Sequence, residues 1–394
     1  MPKRYRRGTH RVAAPAETLA RLRPLAAAMG ITRLGNITGL DRIGIPVAVA
    51  VRPNSRSVSV AQGKGLDLPQ AMASALMEAC EGFHAEEIGP LRRAAYADLA
   101  AGGEAVVDPG GLGPGARPFD PAAPILWAEG WDLLGDGPCW VPAELVHSDY
   151  TGEPDGYFAA GSNGLASGGH PAEALVAAIC ELIERDAVAL WLAAGATAQA
   201  ARRLDLASVG DADCRRLIER YEAARIGLRV WNVTSDLAVP AFLCEICDAA
   251  AGEPHRLRRW HGAGCHPDRT VALTRALTEA AQARLTYIAG IRDDLAPAEY
   301  REPERAALAE ALGDALAAAS GPLAFAAVPE TVTDDLAADL RWLLSRLRAA
   351  GFDRAVACDL TRPAFGIPVV RVVIPGLEGD PRHPLYRPGR RAAR

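Results

Sequence analysis

The chain has 394 residues, of which 49% are hydrophobic and 23% are charged, and its formal net charge is −5. This length and balance predict a folded protein with a large apolar core, and they argue against a disordered chain or a strongly basic nucleic-acid-binding protein. No apolar run is long enough to cross a bilayer, and the basic start of the chain lacks an apolar signal core, so we expect a cytoplasmic protein with no membrane segment.

The first quarter of the chain alternates between helical and extended patterns. A helix is predicted over residues 15–29, and a second one over residues 69–87 follows a segment at residues 62–65 that we interpret as a glycine turn. The second helix carries Glu78 and Glu81, which stand three residues apart and therefore share one face. Strands are predicted over residues 31–41, 45–51 and 55–61.

The middle of the chain holds the clearest motif. A glycine-rich segment at residues 161–170 opens a helix predicted over residues 171–190, which again carries two glutamates three apart, Glu181 and Glu184. Two carboxylates one turn apart repel each other unless a cation lies between them. The preceding loop and the two strands of a predicted hairpin cover residues 101–124, 127–134 and 139–146.

The last third of the chain repeats the arrangement. A glycine-containing segment at residues 261–266 leads into a helix predicted over residues 269–287, which carries Glu279, Gln282 and Arg284. The remaining predicted helices cover residues 213–224, 304–318 and 334–349. The remaining predicted strands cover residues 228–233, 241–247, 355–360 and 369–373.

The eight cysteines are scattered, and only Cys244 and Cys247 form a C-x-x-C pair. A structural zinc site of this kind needs a second pair, which the sequence lacks. The pair also falls in an apolar run with the composition of a buried strand. We therefore predict free structural thiols in a reducing compartment.

The three glycine-plus-helix units are spaced by about one hundred residues, which is typical of an internal repeat. A solvated acidic face is the ordinary explanation for any one such helix. Three solvated faces, however, need share neither this spacing nor the preceding glycines. We therefore predict that the three faces converge on one site for a metal ion and a polyanion, because carboxylates approach phosphate through a cation.

These motifs resemble those of the YcaO family. The segments that carry the resemblance are residues 62–81, 162–168, 181–186 and 276–284. The resemblance implies an α+β protein of the YcaO type, in which three repeated strand, glycine-turn and helix units surround one nucleotide cleft. It also implies a single catalytic unit over residues 1–394, made of an N-terminal extension (about 1–60), a motif-bearing core (about 61–377) and a basic tail (378–394).

The resemblance further implies which residues bind ATP and magnesium, by their position in the motifs. The residues expected to hold Mg²⁺ are Glu78, Glu81, Glu181 and Glu184. The residues expected to contact the nucleotide are Arg11, Thr18, Lys64, Asn163, Glu173, Arg185, Glu279, Gln282 and Arg284. The sequence assigns no further catalytic group.

The implied activity is ATP-dependent O-phosphorylation of a backbone amide in a precursor peptide or protein made by the ribosome, followed by addition of a nucleophile. The opening at residues 8–46 resembles the thioamide-forming branch. The end of the basic tail, residues 382–394, has only Pro384 and Pro388 and so departs from the proline-rich tail of the azoline-forming members. That branch implies a TfuA-type partner protein and a sulphur donor. The alternatives are an azoline-forming cyclodehydratase that uses a substrate Cys, Ser or Thr, and a catalytically inactive scaffold. No nucleic-acid partner is expected, and the sequence is compatible with a homodimer.

Overall fold

The computed structural model describes residues 1–248, 259–292 and 322–393. The helices in these ranges are α1 (Pro15–Leu22), α2 (Leu68–Ala85), α3 (Tyr96–Ala101), α4 (Pro171–Ala193), α5 (Gly195–Ala200), α6 (Ala212–Ala223), α7 (Arg269–Ala289) and α8 (Leu336–Ala349). Within the same ranges, no helix is long and apolar enough to span a membrane. The helix predicted over residues 304–318 lies outside the described residues.

Twelve strands are present in the described part of the chain. They are β1 (Arg33–Asn36), β2 (Val47–Val51), β3 (Val60–Lys64), β4 (Leu91–Ala95), β5 (Pro124–Asp132), β6 (Gly137–Pro142), β7 (Leu165–Ser167), β8 (Ile226–Asn232), β9 (Ala241–Asp248), β10 (Trp260–Cys265), β11 (Val356–Asp359) and β12 (Val369–Val373).

The strands form antiparallel sheets, each of which carries one long helix. The first sheet has the strand order β1-β2-β3, and the second has the order β8-β9-β10. The third has the order β4-β5-β11-β12-β7, with β6 paired to β5. Helix α2 packs on β2 and β3, α4 packs on β7 and β12, and α7 packs on β9 and β10. These are the three helices that the sequence marks by their paired acidic or amide residues.

The glycines before α2 and α7 do not form turns, which corrects the sequence prediction. Gly63 lies within β3, Gly65 directly follows the last residue of that strand, and Gly262 and Gly264 lie within β10. A Cβ atom at Gly63 would lie 2.1 Å from the carbonyl oxygen of Ala71, and one at Gly264 would lie 2.1 Å from that of Ala272. Strand and helix backbones touch at these points, so only glycine fits there. The central unit does have a turn, where Gly164 adopts a φ of 79°.

Local sequence sets where the three long helices begin. The carboxylate of Asp67 accepts a hydrogen bond from the amide of Gln70 at 2.9 Å and so caps α2. His170 caps α4 and Asp268 caps α7 in the same way. Such a cap stabilises a helix by about 1 kcal/mol. Because the start of each helix is fixed, so is the side of the helix on which the later polar residues fall.

Two predicted elements end earlier than expected. The helix predicted over residues 15–29 ends as α1 at Leu22 and continues as short 3₁₀ turns to Met29. Pro24 has no N–H to donate to the preceding turn, which explains the break. The strand predicted over residues 31–41 is limited to β1 and is followed by a 3₁₀ turn at residues 38–40.

The apolar core lies behind the three long helices. One part joins α4 to α8 and to Trp231, a second joins α2 to β11 and β12, and a third joins α7 to α6. All eight cysteines are free thiols, and seven of them are buried. Their burial is compatible with the predicted role of structural thiols.

Candidate active site

The three long helices surround one cleft of about 1450 Å³. It is lined by the paired polar residues of all three helices, which are Glu78, Glu81, Glu181, Glu184, Glu279 and Gln282. The N-terminal segment, β12 and the C-terminal segment complete its walls. Residues separated by 103 or 98 positions in the sequence thus face the same space.

Burial governs the charge state of the four glutamates expected to hold the metal. Loss of hydration raises the pKa of Glu78 to about 7 and that of Glu81 to about 8, and the charge of Glu78 adds to the effect on Glu81. Burial raises the pKa values of Glu181 and Glu184 in the same direction. The side chain of Glu78 is exposed to the water of the cleft, so the surrounding cleft walls, not full burial, reduce its hydration. A divalent cation would stabilise all four as carboxylates.

Three oxygen atoms of the predicted site are buried and have no hydrogen-bond partner among the described residues. They are Oε2 of Glu184, Oδ1 of Asn163 and Oε1 of Gln282. A buried acceptor left unpaired costs about 1–3 kcal/mol. Carboxylate and amide oxygens are the protein groups that a hard cation or its bound water prefers. The residues present therefore fit Mg²⁺ together with a nucleotide.

Glu81 also joins the first two units. Its Oε1 accepts a hydrogen bond from the amide of Ser167 at 2.8 Å and another from the Ser167 hydroxyl at 2.7 Å. Ser167 ends β7, the strand that precedes α4. One oxygen of Glu81 thus fixes α2 against the neighbouring unit and leaves the other for a ligand.

Glu279 differs from the four glutamates whose pKa values are raised, because it already forms an ion pair with a lysine. The ammonium of Lys64 lies 2.8 Å from its Oε2, and the amide of Ala263 donates to its Oε1 at 3.3 Å. Burial acts to raise the pKa of Glu279, but the charges of Lys64 and Arg185 outweigh it and hold the pKa below its usual range. Glu279 is therefore ionised and paired.

The N-terminal segment reaches the cleft through Glu173. This carboxylate accepts hydrogen bonds from the amides of Val12 at 2.8 Å and Gly169 at 3.2 Å, and from Nη1 of Arg11 at 3.4 Å. Arg11 and Thr18 both line the cleft, as does Glu173 itself. Because three donors already surround Glu173, its position suits the placing of Arg11 rather than the binding of a metal.

A buried polar cluster anchors the same segment from behind. The rings of His10 and His266 meet edge to face with centroids 4.8 Å apart, and Nε2 of His10 lies 3.4 Å from a carboxylate oxygen of Asp268. The ammonium of Lys3 lies 2.6 Å from Asp339, and both groups are almost fully buried. His10, His266 and Asp339 offer potential metal-binding atoms within 4.8 Å of one another. The ammonium of Lys3 already supplies a cation there.

The C-terminal segment is folded into the cleft wall, because most residues between 378 and 390 of the predicted basic tail line the cleft. Arg185 lies 3.5 Å from Asp380 at the edge of the cleft. Glu378 accepts hydrogen bonds from the amides of Gly389 at 2.8 Å and Ala392 at 2.9 Å. Farther along, Nε of Arg391 donates to the buried carboxylate of Asp186 at 2.8 Å.

Arg284 requires a correction, because it does not lie among the described residues that line the cleft. Its side chain is 3% exposed, with Nε 2.9 Å from Asp41 and Nη1 3.1 Å from Asp248. It follows Glu279 by five residues, which turns it about 140° around the helix from that side chain. Arg284 is therefore a buried structural cation and not a nucleotide contact.

Arg275 occupies the position expected of Arg284. It stands one turn before Glu279 on the cleft face of α7, and its buried Nε has no hydrogen-bond partner within the described ranges. Burial acts to lower the pKa of Arg275, but the charges of Glu184 and Glu279 raise it overall. The sequence held a signal for this residue, because Arg275 precedes Glu279 by the same four positions as Ser74 precedes Glu78.

Arg371 is a second cleft residue that the motifs did not mark. It lies on β12 and is 2% exposed. Its Nε donates to the carbonyl oxygen of Leu145 at 2.7 Å, and its Nη2 donates to that of Gly161. The signal was the single charged residue within the otherwise apolar strand at residues 369–373.

Comparison with known sequences places the chain in a family. The model of the family described as YcaO cyclodehydratase, ATP- and Mg²⁺-binding, matches residues 62–378. A protein described as an uncharacterized protein in the tfuA 3′ region of Rhizobium leguminosarum bv. trifolii is 39% identical over 382 residues, which cover 94% of this chain and 89% of that protein. An uncharacterized protein of Methanothermobacter thermautotrophicus is 34% identical over 373 residues, which cover 92% and 94% of the two chains. The chain belongs to the YcaO family.

Solved structures share its fold. A heterocyclase in complex with substrate and cofactor gives a TM-score of 0.78 at 24% identity, over 96% of this chain and 55% of that one. The structure of YcaO from Methanopyrus kandleri bound with AMPPCP and Mg²⁺ gives a TM-score of 0.76 at 24% identity, over 96% and 94% of the two chains. The predicted α+β fold of the YcaO type is thereby confirmed.

Proposed function

We propose that this protein is an ATP- and Mg²⁺-dependent enzyme that activates a backbone amide in a ribosomally made peptide or protein. The observation that carries the proposal is the convergence of four glutamates of α2 and α4 on one cleft, beside buried oxygen atoms that have no partner among the described residues. Glu78, Glu81, Glu181 and Glu184 would hold Mg²⁺, which would offset their charge and that of a bound triphosphate. The description of the family supports the same ligands.

The remaining residues of the cleft suit a nucleotide. Asn163 and Gln282 each carry a side-chain amide whose oxygen has no hydrogen-bond partner in the described part of the chain. Arg11 and Thr18 line the cleft from the N-terminal segment. Arg185 and Arg275 supply positive charge beside the glutamates. Lys64 is paired with Glu279, so its contact with phosphate would require exchange of that partner. The protein's work in such a reaction is positioning and compensation of charge.

The chemistry that we propose exchanges the amide oxygen for sulphur. The amide oxygen forms a bond to the γ-phosphorus while the bond between that phosphorus and ADP breaks, and ADP leaves with the electron pair. Hydrosulphide adds to the amide carbon, the C–O bond breaks, and its electron pair leaves on phosphate, which also takes the sulphide proton. The products are a thioamide, ADP and phosphate.

The thioamide outcome is supported by the relative from the tfuA 3′ region, which covers almost the whole chain. It implies a TfuA-type partner protein and a sulphur donor. The second candidate is an azoline-forming cyclodehydratase, in which a Cys, Ser or Thr side chain of the substrate is the nucleophile. That candidate is favoured by the description of the family and by the C-terminal segment that lines the cleft.

The mass of the product peptide distinguishes the two reactions. The protein is incubated with a TfuA-type partner, a candidate precursor peptide, ATP, Mg²⁺ and sulphide, and the peptide is then weighed. We expect a gain in mass that requires sulphide and lies on a backbone amide. Loss of water without sulphide, confined to Cys, Ser or Thr, would establish cyclodehydration instead. The Glu184→Gln variant is the matched control, since it should give neither product.

A further inference from the structure

Arg371 is a buried cation without a carboxylate partner in the described part of the chain. Two of its nitrogens are held by the backbone carbonyl oxygens of Leu145 and Gly161. The third, Nη1, is buried and has no hydrogen-bond partner among the described residues. Burial lowers the pKa of Arg371, although Tyr150 and Glu181 act in the opposite direction. A charge in such a place is costly unless a ligand pairs it.

The surroundings of Arg371 separate it from the other cations of the cleft. Arg185 and Arg275 act electrostatically on both Glu181 and Glu184, and both lie near Glu279. Arg371 instead pairs with Leu165 of β7 in the sheet and donates hydrogen bonds to the carbonyl oxygens of Leu145 and Gly161. Arg371 thus enters the cleft from β12, whereas Arg185 and Arg275 enter it from the helices α4 and α7.

The cleft wall next to Arg371 has a different character from the nucleotide side. Residues 159–161 reach Arg371 through the carbonyl oxygen of Gly161, and the amide of Ala159 donates to the carbonyl oxygen of Gly113 at 3.4 Å. Residues 110–114, Tyr150 and residues 159–161 line the cleft without a charge, and Asp108 adds one carboxylate just before this stretch. The glycine-rich part of this wall is fixed to the segment after β12, because the amide of Gly376 donates to the carbonyl oxygen of Gly111 at 2.7 Å. An uncharged wall with exposed backbone suits a peptide chain better than a triphosphate.

We propose that Arg371 binds the phosphoryl group after it has left the nucleotide, and so holds phosphate at the substrate end of the cleft. This inference rests on the proposed function. A guanidinium fixed through two of its nitrogens presents the third in a set direction and keeps its full charge, which suits an anionic oxygen. During amide activation the γ-phosphoryl group of ATP moves to the amide oxygen, and it finally departs as phosphate. Arg371 would stabilise it in the last two of these positions, as a catalytic residue that touches the reacting group.

Two ligands distinguish this role from binding of the nucleotide. Mg²⁺–AMPPCP retains its γ-phosphate on the nucleotide, whereas inorganic phosphate added to the Mg²⁺–ADP complex represents the departed group. Calorimetry of Arg371→Met should show unchanged affinity for Mg²⁺–AMPPCP and about 10- to 100-fold weaker binding of phosphate. Arg371→Lys, which keeps the charge, should lose less, and it serves as the second variant if Arg371→Met does not fold.

Arg354→Met is the matched control, because Arg354 pairs with Asp132 at 3.5 Å and is not among the described residues of the cleft. Phosphate affinity that is equal in wild type and Arg371→Met would overturn the proposal. So would an equal loss of Mg²⁺–AMPPCP and phosphate, which would assign Arg371 to the nucleotide. A wild-type protein that binds no Mg²⁺–AMPPCP would refute the proposed function separately. Phosphate titrated without nucleotide still tests Arg371 in that case.

Discussion

The ammonium of Lys64 lies 2.8 Å from Oε2 of Glu279, so an ion pair joins the first and third units inside the cleft. Both side chains are 19% exposed, which leaves the pair within reach of a ligand. Lys64 ends β3, and Glu279 lies in the middle of α7. A phosphate that enters the cleft competes with Glu279 for the same cation.

This competition predicts opposite effects of the two single substitutions. Glu279→Gln frees the ammonium of Lys64 and removes a negative charge, so Mg²⁺–AMPPCP should bind about 3- to 10-fold more tightly. Lys64→Met should weaken binding by a similar factor. Calorimetry measures both, with Glu219→Gln on the exposed face of α6 as control. Changes of the same sign in the two variants would show that the pair is purely structural.

The paired glutamates predict a magnesium-dependent loss of nucleotide binding. Each of four substitutions removes one carboxylate charge from the proposed metal site while keeping the shape of the side chain. The substitutions are Glu78→Gln, Glu81→Gln, Glu181→Gln and Glu184→Gln. We expect binding of Mg²⁺–AMPPCP to weaken by about 10- to 100-fold or more in each variant. Glu219→Gln, on the exposed face of α6, is the control. Affinity that stays normal and magnesium-dependent in Glu181→Gln and Glu184→Gln would refute the metal site.

Arg284 and Arg275 lie on the same helix, but their substitution should affect different properties, namely stability for Arg284 and nucleotide binding for Arg275. Arg284→Met leaves the carboxylates of Asp41 and Asp248 without this partner, so it should lower the free energy of unfolding by about 3–5 kcal/mol. Arg275→Met should cost little stability but weaken nucleotide binding, because no described carboxylate forms an ion pair with it. Urea unfolding and calorimetry on both variants make the comparison. Normal stability of Arg284→Met would contradict its structural role.

The buried ring of His266 should make stability depend on pH. Burial lowers the pKa of His266 well below its usual value, and the charges of His10, Lys3 and Arg275 act in the same direction, against Asp268. The ring is therefore neutral in the folded protein, whereas the unfolded chain binds a proton near pH 6.5. Since the unfolded state binds more protons below that pH, stability should decrease as the pH falls below about 6.5.

The His266→Gln variant tests this contribution. The melting temperature should fall less steeply between neutral and mildly acidic pH in the variant than in the wild type. His147→Gln is the matched control, because Nδ1 of His147 accepts the amide of Asp149 at 3.1 Å as Nδ1 of His266 accepts that of Asp268 at 3.0 Å. His147 is only partly buried. An identical pH dependence in wild type and His266→Gln would eliminate this residue as the cause.

The identity of the glycines shows one limit of sequence interpretation. Gly63 and Gly264 read as turn residues because glycine is common in turns. In the structure they lie in strands where a helix backbone approaches too closely for any side chain. This close contact forms between two elements, so it cannot be predicted from the sequence of either element alone.

The sequence by itself determined which face of each long helix carries the site. Spacing of three residues places Glu78 with Glu81, Glu181 with Glu184, and Glu279 with Gln282, because the direction of a side chain on a helix is a local property. Only the tertiary structure decided which cations share the cleft. Arg284 turns toward Asp41 and Asp248, whereas Arg371 and the C-terminal segment enter from elements far away in the chain. Burial and charge at those positions arise from packing between sheets, which no local pattern encodes.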